Sequence, residues 1–357
     1  MKLTKFFALA LATLAIVGCE PTSGENQTGD AVLTANNNSV EVNTPISFTV
    51  TATDGADLTA EAVIYDKSHD YVVVENPYTP TMDGEYEFYA VVGNIITPSI
   101  KVNVVPTVPA LPEDAQPENT SFNHRILLVD HTGNTCGYCP QMMAALKEVE
   151  ESGDYHTKYY EAMAHTYSSG DPAYSGAANV VSGHHSVGAY PTLTYNFYHS
   201  TTSSYNAAHI MGQIDALWKA EGADAGIAAA ATLASTSVIV NTEVKAAATN
   251  DYHITAWLLE DGIYAKQTNA TEEWMNTHNN AIRQRVTSDD ITGVDLGTIA
   301  AGETASTALT LKIIGNKWVR ENLKVMVIVS AKNNQGKFEV ANVAICPMND
   351  VVTYDYK

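Results

Sequence analysis

Residues 31–105 consist of short runs in which apolar and polar positions alternate. A period of two is typical of strands that bury one face, and the turn signals Asp54-Gly55 and Asp83-Gly84 separate some of these runs. About six such strands in so short a stretch predict an antiparallel β-sandwich.

A different pattern occupies residues 121–222. Residues 126–129 are continuously apolar, which is typical of a strand buried on both faces of a sheet. After a short polar turn, Met142, Leu146 and Val149 recur at helical spacing, so we expect a helix packed on that sheet. Together these features predict an α/β domain.

The alternating pattern returns in residues 223–357 and predicts a second β-sandwich. Two stretches without an apolar pattern separate the predicted domains. Residues 19–30 have the Thr, Ser, Gly and Asn content of a tether, and the prolines of residues 106–120 indicate a semi-rigid linker.

Residues 1–18 have the pattern of an export signal. Lys2 and Lys5 precede an apolar stretch that is too short to span a bilayer. The residues Ile16-Val17-Gly18-Cys19 resemble a bacterial lipobox, which implies that Cys19 becomes the acylated first residue of the mature chain. The alternative is a simple cleaved signal next to an unrelated cysteine.

The formal net charge of −21 limits the classes of partner. Such an acidic chain is not expected to bind nucleic acid, and it suits a soluble body held at a membrane by acyl chains on Cys19. We therefore expect a lipid-anchored protein of the cell envelope, at the outer membrane, that faces either the periplasm or the exterior.

Cys136 and Cys139 form a Cys-Gly-Tyr-Cys motif where the helix is predicted to begin. Free N–H groups and the helix dipole at such a position favour the thiolate, which lowers a thiol pKa from roughly 8.5 to about 3.5–7.5. Cys136 would then be the attacking sulfur and Cys139 the resolving one.

Two other hypotheses fit a single pair of this kind, namely an inert structural disulfide and half of a zinc site. Zinc needs two further ligands, and the only other cysteine outside the N-terminal signal region, Cys346, is distant in the sequence. We expect no metal, no cofactor and an inert buried thiol at Cys346.

Three separated features resemble thioredoxin-fold oxidoreductases: the cysteine pair, Asp130 six residues before it, and Tyr190-Pro191 downstream. The resemblance implies that Asp130 is a buried acid serving the resolving thiol. It also implies that Pro191 is a cis-proline that holds the substrate backbone, while Tyr190 tunes selectivity. The Gly-Tyr dipeptide is similar to that of periplasmic disulfide isomerases, whereas Thr135 replaces the tryptophan usual in thioredoxins.

The predicted fold is therefore multidomain, with an α/β thioredoxin-like domain between two all-β sandwich domains. The first sandwich resembles bacterial immunoglobulin-like modules.

Residues 260–267, with His278 and Arg283 after them, resemble the C-terminal region of the twenty-eight-kilodalton outer membrane protein family of Bacteroidota. Members of that family join such a region to a thioredoxin-like domain behind a lipobox, which implies a location and an architecture. His278 and Arg283 are either a binding pair or part of an exposed polar turn. His131 and His165 flank the predicted site and are either proton-transfer groups or structural.

These observations predict an envelope-anchored thiol–disulfide oxidoreductase acting on protein dithiols and disulfides. Its partners would be protein thiol or disulfide substrates and an electron donor or acceptor protein that the sequence does not identify. The leading alternative is a non-catalytic surface or structural lipoprotein that uses the fold as a binding scaffold. A weaker one is a thiol peroxidase, which would need only Cys136 for its first step.

Overall fold

The computed structural model describes residues 30–197, 204–286, 290–315 and 317–357. These residues are rich in β-structure, with three α-helices and several sheets. The chain divides into two compact units, of which the first ends at Val105 and the second runs from Pro106 to Lys357. Within the described ranges, no helix combines the length and the apolar character needed to cross a bilayer.

The first unit is all-β in its described part. Its strands are β1 (Ala31–Ala35), β2 (Ser39–Glu41), β3 (Phe48–Ala52), β4 (Val63–Asp66), β5 (Val72–Val74), β6 (Gly84–Val92), β7 (Ile95–Ile96) and β8 (Ile100–Val105). Five of them form a sheet in the order β2-β8-β6-β4-β5, with β7 added to β6, and β1 pairs with β3. Alternate residues of β6, among them Tyr86 and Phe88, point into one apolar core.

The second unit contains the remaining elements. Its helices are α1 (Cys139–Glu151), α2 (Gly176–His184) and α3 (Ala207–Leu217), and 3-10 turns occur at Tyr155–Thr157, Glu273–Asn276 and Arg320–Asn322. Its strands are β9 (Ile126–Thr132), β10 (Tyr159–His165), β11 (Thr192–Tyr195), β12 (Ala225–Leu233), β13 (Ser237–Ala246), β14 (Asn250–Glu260), β15 (Ile263–Tyr264), β16 (Thr277–His278), β17 (Ala281–Arg285), β18 (Val294–Ile299), β19 (Thr304–Lys312), β20 (Leu323–Lys332), β21 (Phe338–Pro347) and β22 (Val351–Val352).

The central feature of this unit is a mixed sheet in the order β11-β9-β10-β17-β14-β20-β21, with β18 added to β14. β9 and β10 are parallel, and β11 is antiparallel to β9. β10 meets β17 at a single residue pair, Met163 with Ala281. A second sheet, β19-β13-β12-β22, packs on part of the first.

Helices cover the end of the sheet that carries the cysteines. Ile126 and Leu128, on one face of β9, share a core with α1 and α3. Leu127 and Val129, on the other face, pack with α2. The continuous apolar run therefore forms a strand that is buried on both faces, as the sequence predicted.

The C-terminal strands differ from the separate sandwich that the sequence predicted for residues 223–357. Trp257 and Leu259 of β14 point into the core beneath α2, while Ile254 and Leu258 point into the core between the two sheets. Because β14 is buried on both faces, it continues the sheet of β9 and β10. Residues 121–222 and 223–357 consequently share one sheet.

Residues 106–120, predicted to be a linker, pack against β13. Lys245, only 1% exposed, donates its ammonium protons to Asp114 and to the carbonyl oxygens of Gln116 and Pro117. Asn241 donates to the carbonyl of Pro109. A buried lysine requires such partners, so this stretch belongs to the second unit.

Candidate functional site

Cys136 and Cys139 form a disulfide in the turn between β9 and α1. Cys136 is 2% exposed and Cys139 is fully buried. The helix begins at Cys139, with Tyr138 as its N-cap residue, and not at Cys136 as the sequence suggested. Cys136 instead belongs to a turn closed by a hydrogen bond from its N–H to the carbonyl of Gly133.

Asp130 lies on β9 in a fully buried position. Strand alternation puts it on the same face as Ile126 and Leu128, which is the face that α1 covers. Among the described residues, neither carboxyl oxygen has a hydrogen-bond partner. Burial, reinforced by the nearby charge of Glu161, raises the pKa of Asp130 well above its ordinary value. Burial therefore favours the protonated form of this carboxyl group, which can donate a proton.

Glu161, whose charge acts on Asp130, lies at an open cleft. Its side chain is half-buried on β10 and lines a cleft of about 1000 Å³ between α1, β10 and residues 274–280. Burial and the charge of Glu150 raise the pKa of Glu161 to about 7.

Tyr190 and Pro191 lie directly before β11, and the peptide bond between them is cis. Thr192 pairs with His131, so antiparallel register brings Pro191 level with Thr132, at the end of β9. The hydroxyl of Tyr190 is 3.0 Å from that of Thr166, and its ring packs edge-on against Tyr167. Both predicted substrate-binding residues thus lie at the sheet edge from which the cysteine turn emerges.

Asp171 fixes the start of that turn, a role that the sequence analysis did not identify. Its Oδ2 accepts hydrogen bonds from the N–H of Asn134 (2.7 Å) and lies 2.8 Å from Nδ1 of His165. Burial alone would raise the pKa of Asp171, but the hydrogen bonds from His165, Asn134 and Ala173 lower it to about 2. The Asp-Pro dipeptide at residues 171–172 was the one local signal of an ordered loop.

A segment of the C-terminal region covers the cysteine turn, and the sequence did not predict this either. We call Gln267, Thr268 and Asn269 the cover segment. Gln267 Nε2 donates to the carbonyl of Cys136 (2.9 Å), and Asn269 Nδ2 donates to that of Gly137 (3.1 Å). The only hint in the sequence was that Gln267 lies within the family-like stretch.

His278 and Arg283 are both buried, so the exposed polar turn considered from the sequence is not what forms. Arg283 is paired with Glu260 and donates to the carbonyl of Pro172. The ring of His278 packs edge-on against His165, and burial lowers the pKa of His278 to about 4. These residues contact Pro172 and His165 from the interior of the protein and do not face solvent.

His131 and Cys346 occupy structural positions. The two ring nitrogens of His131 bond the hydroxyls of Ser182 and Thr194, and burial lowers its pKa to about 3. Cys346 is a buried free thiol whose pKa burial raises to about 11. Both groups are neutral at physiological pH.

Two other predicted features concern lipid and metal. Cys19, the predicted lipidation site, lies outside the described residues. Within the described ranges, no group of three or more His, Cys, Asp or Glu side chains is arranged to hold a metal ion.

Part of this chain matches a protein family, and its fold is similar to that of solved structures. Residues 184–349, less than half of the chain, match the family described as outer membrane protein Omp28. The match includes Tyr190, Pro191 and the cover segment but not the two cysteines. No curated protein matches.

The structure of HBP35 of Porphyromonas gingivalis is similar, with a TM-score of 0.52 and 16% sequence identity. The similarity covers 64% of this chain and 77% of that chain, and it concerns the fold alone. The Omp28 match confirms the location predicted from the sequence, which is the cell envelope and within it the outer membrane.

Proposed function

We propose that this protein is a thiol–disulfide oxidoreductase of the cell envelope that acts on protein dithiols and disulfides through Cys136 and Cys139. The observation that carries the proposal is the Cys136–Cys139 disulfide, set between β9 and α1, with the fully buried and unpartnered acid Asp130 beneath that helix. A purely structural disulfide has no need for a buried carboxyl group that lacks hydrogen bonds, since such burial costs free energy.

The exchange would begin with a substrate thiolate that attacks the sulfur of Cys136. The Cys136–Cys139 bond breaks, a mixed disulfide forms with Cys136, and Cys139 leaves as a thiolate. A second substrate thiolate then attacks the substrate sulfur of the mixed disulfide and releases Cys136. The substrate dithiol is oxidised to a disulfide, and the protein disulfide is reduced to a dithiol. Run in reverse, the same steps reduce a substrate disulfide.

Asp130 would supply the proton that the departing Cys139 takes up. Its raised pKa favours the protonated form, and a thiolate with an ordinary pKa of roughly 8.5 is a suitable acceptor. In the reverse direction the carboxylate would remove the proton from Cys139 as this thiol attacks the mixed disulfide.

Tyr190 and Pro191 would hold the substrate chain beside Cys136. They lie directly before β11, the edge strand of the sheet, where an extended segment can bind. The hydrogen bond between the hydroxyl groups of Tyr190 and Thr166 would keep this loop in place.

The finer architecture is part of the same proposal. The parallel pair β9–β10, antiparallel β11 and the flanking helices suit a thioredoxin-like domain, and the first unit suits an immunoglobulin-like module. A lipid anchor on Cys19 behind a cleaved signal at residues 1–18 would attach the chain to the membrane.

The reduction potential of the cysteine pair tests this function. The full chain carrying Cys346→Ser would be equilibrated with mixtures of reduced and oxidised glutathione, and the fraction of free Cys136 and Cys139 measured by thiol alkylation. A potential between about −120 and −270 mV, the range of exchange enzymes, supports the proposal. A pair that stays oxidised below about −300 mV is a structural staple, and the proposal then fails.

A second candidate is a non-catalytic binding lipoprotein with an inert disulfide. Two observations favour it: Cys136 is only 2% exposed, and the family match excludes both cysteines. The same titration separates the two candidates, because an inert disulfide in a binding lipoprotein should have a reduction potential below about −300 mV.

A further inference from the structure

The sulfur that a substrate must attack is recessed. Cys136 is 2% exposed, whereas Tyr138, two residues later in the chain, is 65% exposed. Thr135 on the other side is exposed as well. An incoming thiol therefore has to pass the exposed residues Thr135 and Tyr138 before it reaches the disulfide.

The cover segment closes one side of this approach. Gln267, Thr268 and Asn269 each donate a hydrogen bond to a carbonyl of the cysteine turn. The acceptors are Cys136 for Gln267 Nε2 (2.9 Å), Asn134 for the N–H of Thr268 (2.7 Å) and Gly137 for Asn269 Nδ2 (3.1 Å). The three contacts bracket Cys136 along the chain.

The cover segment is itself held firmly at its base. The N–H of Gln267 donates to Asn276 Oδ1 (2.9 Å), and the N–H of Ala265 donates to the Asn276 carbonyl (2.9 Å). Gln267 is 2% exposed and Asn276 is 8% exposed. The segment is thus a fixed wall built from a region about 130 residues away in the sequence.

The tip of the wall has a different character. Asn269 is exposed and has a φ of +60°, a left-handed conformation that asparagine and glycine tolerate. A Cβ added to Gly137 would lie 3.0 Å from Asn269 Nδ2, so the amide touches the turn directly. Removing the Asn269 side chain would open the approach to the cysteine turn without disturbing the buried contacts of Gln267 with Asn276.

We propose that the cover segment restricts this site to cysteines in extended polypeptide segments, so that its substrates are unfolded or loosely folded chains. This inference rests on the proposed exchange function and names its substrate class. An extended chain projects each side chain away from its backbone and can insert one thiol into a recess. The surface of a folded domain around its thiol would instead meet Asn269 and Tyr138 first.

The experiment compares three thiols as reductants of the full chain carrying Cys346→Ser. The thiols are glutathione, an unfolded polypeptide with one cysteine, and a folded protein with one exposed cysteine of similar pKa. Second-order rate constants for reduction of the Cys136–Cys139 disulfide are measured for the parent and for Asn269→Gly. The matched control is Thr271→Ala, an exposed residue of the same loop whose hydroxyl contacts Met275 and not the cysteine turn.

In the parent we expect the unfolded polypeptide to react at least about tenfold faster than the folded protein, a difference of ~1.4 kcal/mol in activation free energy. In Asn269→Gly this ratio falls at least about threefold, because the folded protein gains access. The glutathione rate stays the same, and Thr271→Ala behaves as the parent. Asn269→Asp, which keeps the shape but removes the donor, provides a second test of the same kind.

Equal rates for the folded and unfolded thiols in the parent would overturn the inference, and so would a ratio that neither Asn269 variant changes. In either case rapid exchange with glutathione leaves the proposed function standing. If glutathione does not react with the parent at all, the exchange function itself fails and the inference falls with it.

Discussion

Arg283 and Glu260 form a buried ion pair in which Arg283 Nε donates to Glu260 Oε2 at 2.5 Å, with both side chains at most 4% exposed. Arg283 also donates to the carbonyl of Pro172, and Glu260 accepts the N–H of Val319. Pro172 follows Asp171, which in turn holds the N–H of Asn134 at the cysteine turn. The pair therefore links β14 and β17 to the loop that positions the disulfide.

Arg283→Met is expected to destabilise the protein by about 3–5 kcal/mol, because it leaves the Glu260 carboxylate buried without its counter-charge. The double variant Arg283→Met with Glu260→Gln should recover part of this loss. Urea unfolding of the four members of the cycle measures the coupling. A double variant no more stable than Arg283→Met would show that the arginine acts through its contact with Pro172 rather than through the ion pair.

Asp171→Asn tests whether the Asp171 carboxylate stabilises the fold through its hydrogen bonds at the cysteine turn. The pKa of Asp171 in the folded protein, about 2, lies below the ordinary value of 3.8, so its carboxylate stabilises the fold above pH 3.8. That contribution, about 2 kcal/mol, is lost as the pH falls through 2. Asp171→Asn should therefore be less stable than the parent at pH 7, and the difference should shrink at pH 2. The exposed Glu303→Gln serves as the control, and an equal loss at both pH values would contradict the electrostatic explanation.

Local patterns predicted the local parts of the site. The continuous apolar run at residues 126–129 and the helical spacing of Met142, Leu146 and Val149 correspond to β9 and α1, since each depends only on neighbouring residues. The helix start was displaced from Cys136 to Cys139, because the side-chain period does not determine where helical backbone angles begin.

The long-range parts could not be obtained in this way. The alternating pattern of residues 223–357 indicated strands that bury one face, whereas β14 is buried on both faces. Such a pattern also does not determine which strands lie beside one another, and so the shared sheet was missed. Gln267 and Asn269 reach the cysteine turn across about 130 residues through amide groups, and single amides have no characteristic spacing in a sequence. Asp171 was missed because a single carboxylate likewise has no characteristic spacing in a sequence.

Asp130→Asn is expected to slow reduction of the disulfide by glutathione by about 10²-fold at pH 7, since the departing Cys139 loses its proton donor. The amide cannot take part in proton transfer but has nearly the same volume, so the fold should be retained. Stopped-flow measurement of the reaction between pH 5 and pH 9 checks this, with Cys346→Ser as background. An unchanged rate and pH profile would exclude Asp130 from the reaction.

Glu161→Gln should change how stability depends on pH. The pKa of Glu161 in the folded protein, about 7, lies above its ordinary value of 4.5. The stabilisation from its neutral form is therefore fully present below pH 4.5 and is lost as the pH rises through 7. In urea unfolding, the loss of stability between pH 5 and pH 8 should be smaller for Glu161→Gln than for the parent. Glu303→Gln, at an exposed position between β18 and β19, should retain the full loss.

Glu161→Gln should also lower the pKa of Asp130, because it removes the neighbouring negative charge that helps to raise it. The pH profile of disulfide reduction should consequently shift toward lower pH. A shift in the opposite direction would mean that Glu161 does not act on Asp130 through its charge.

Gly133 and Gly137 provide a matched pair of glycine substitutions at the two ends of the cysteine turn. A Cβ on Gly133 would lie 2.6 Å from Tyr167 Cβ, where neither group can move away easily. A Cβ on Gly137 would lie 3.0 Å from the end of the exposed Asn269 side chain, which can shift. Gly133→Ala should therefore cost about 1–3 kcal/mol of stability, whereas Gly137→Ala should cost less than about 1 kcal/mol. Urea unfolding measures both, and equal losses would mean that the contact between Gly137 and Asn269 is as rigid as that between Gly133 and Tyr167.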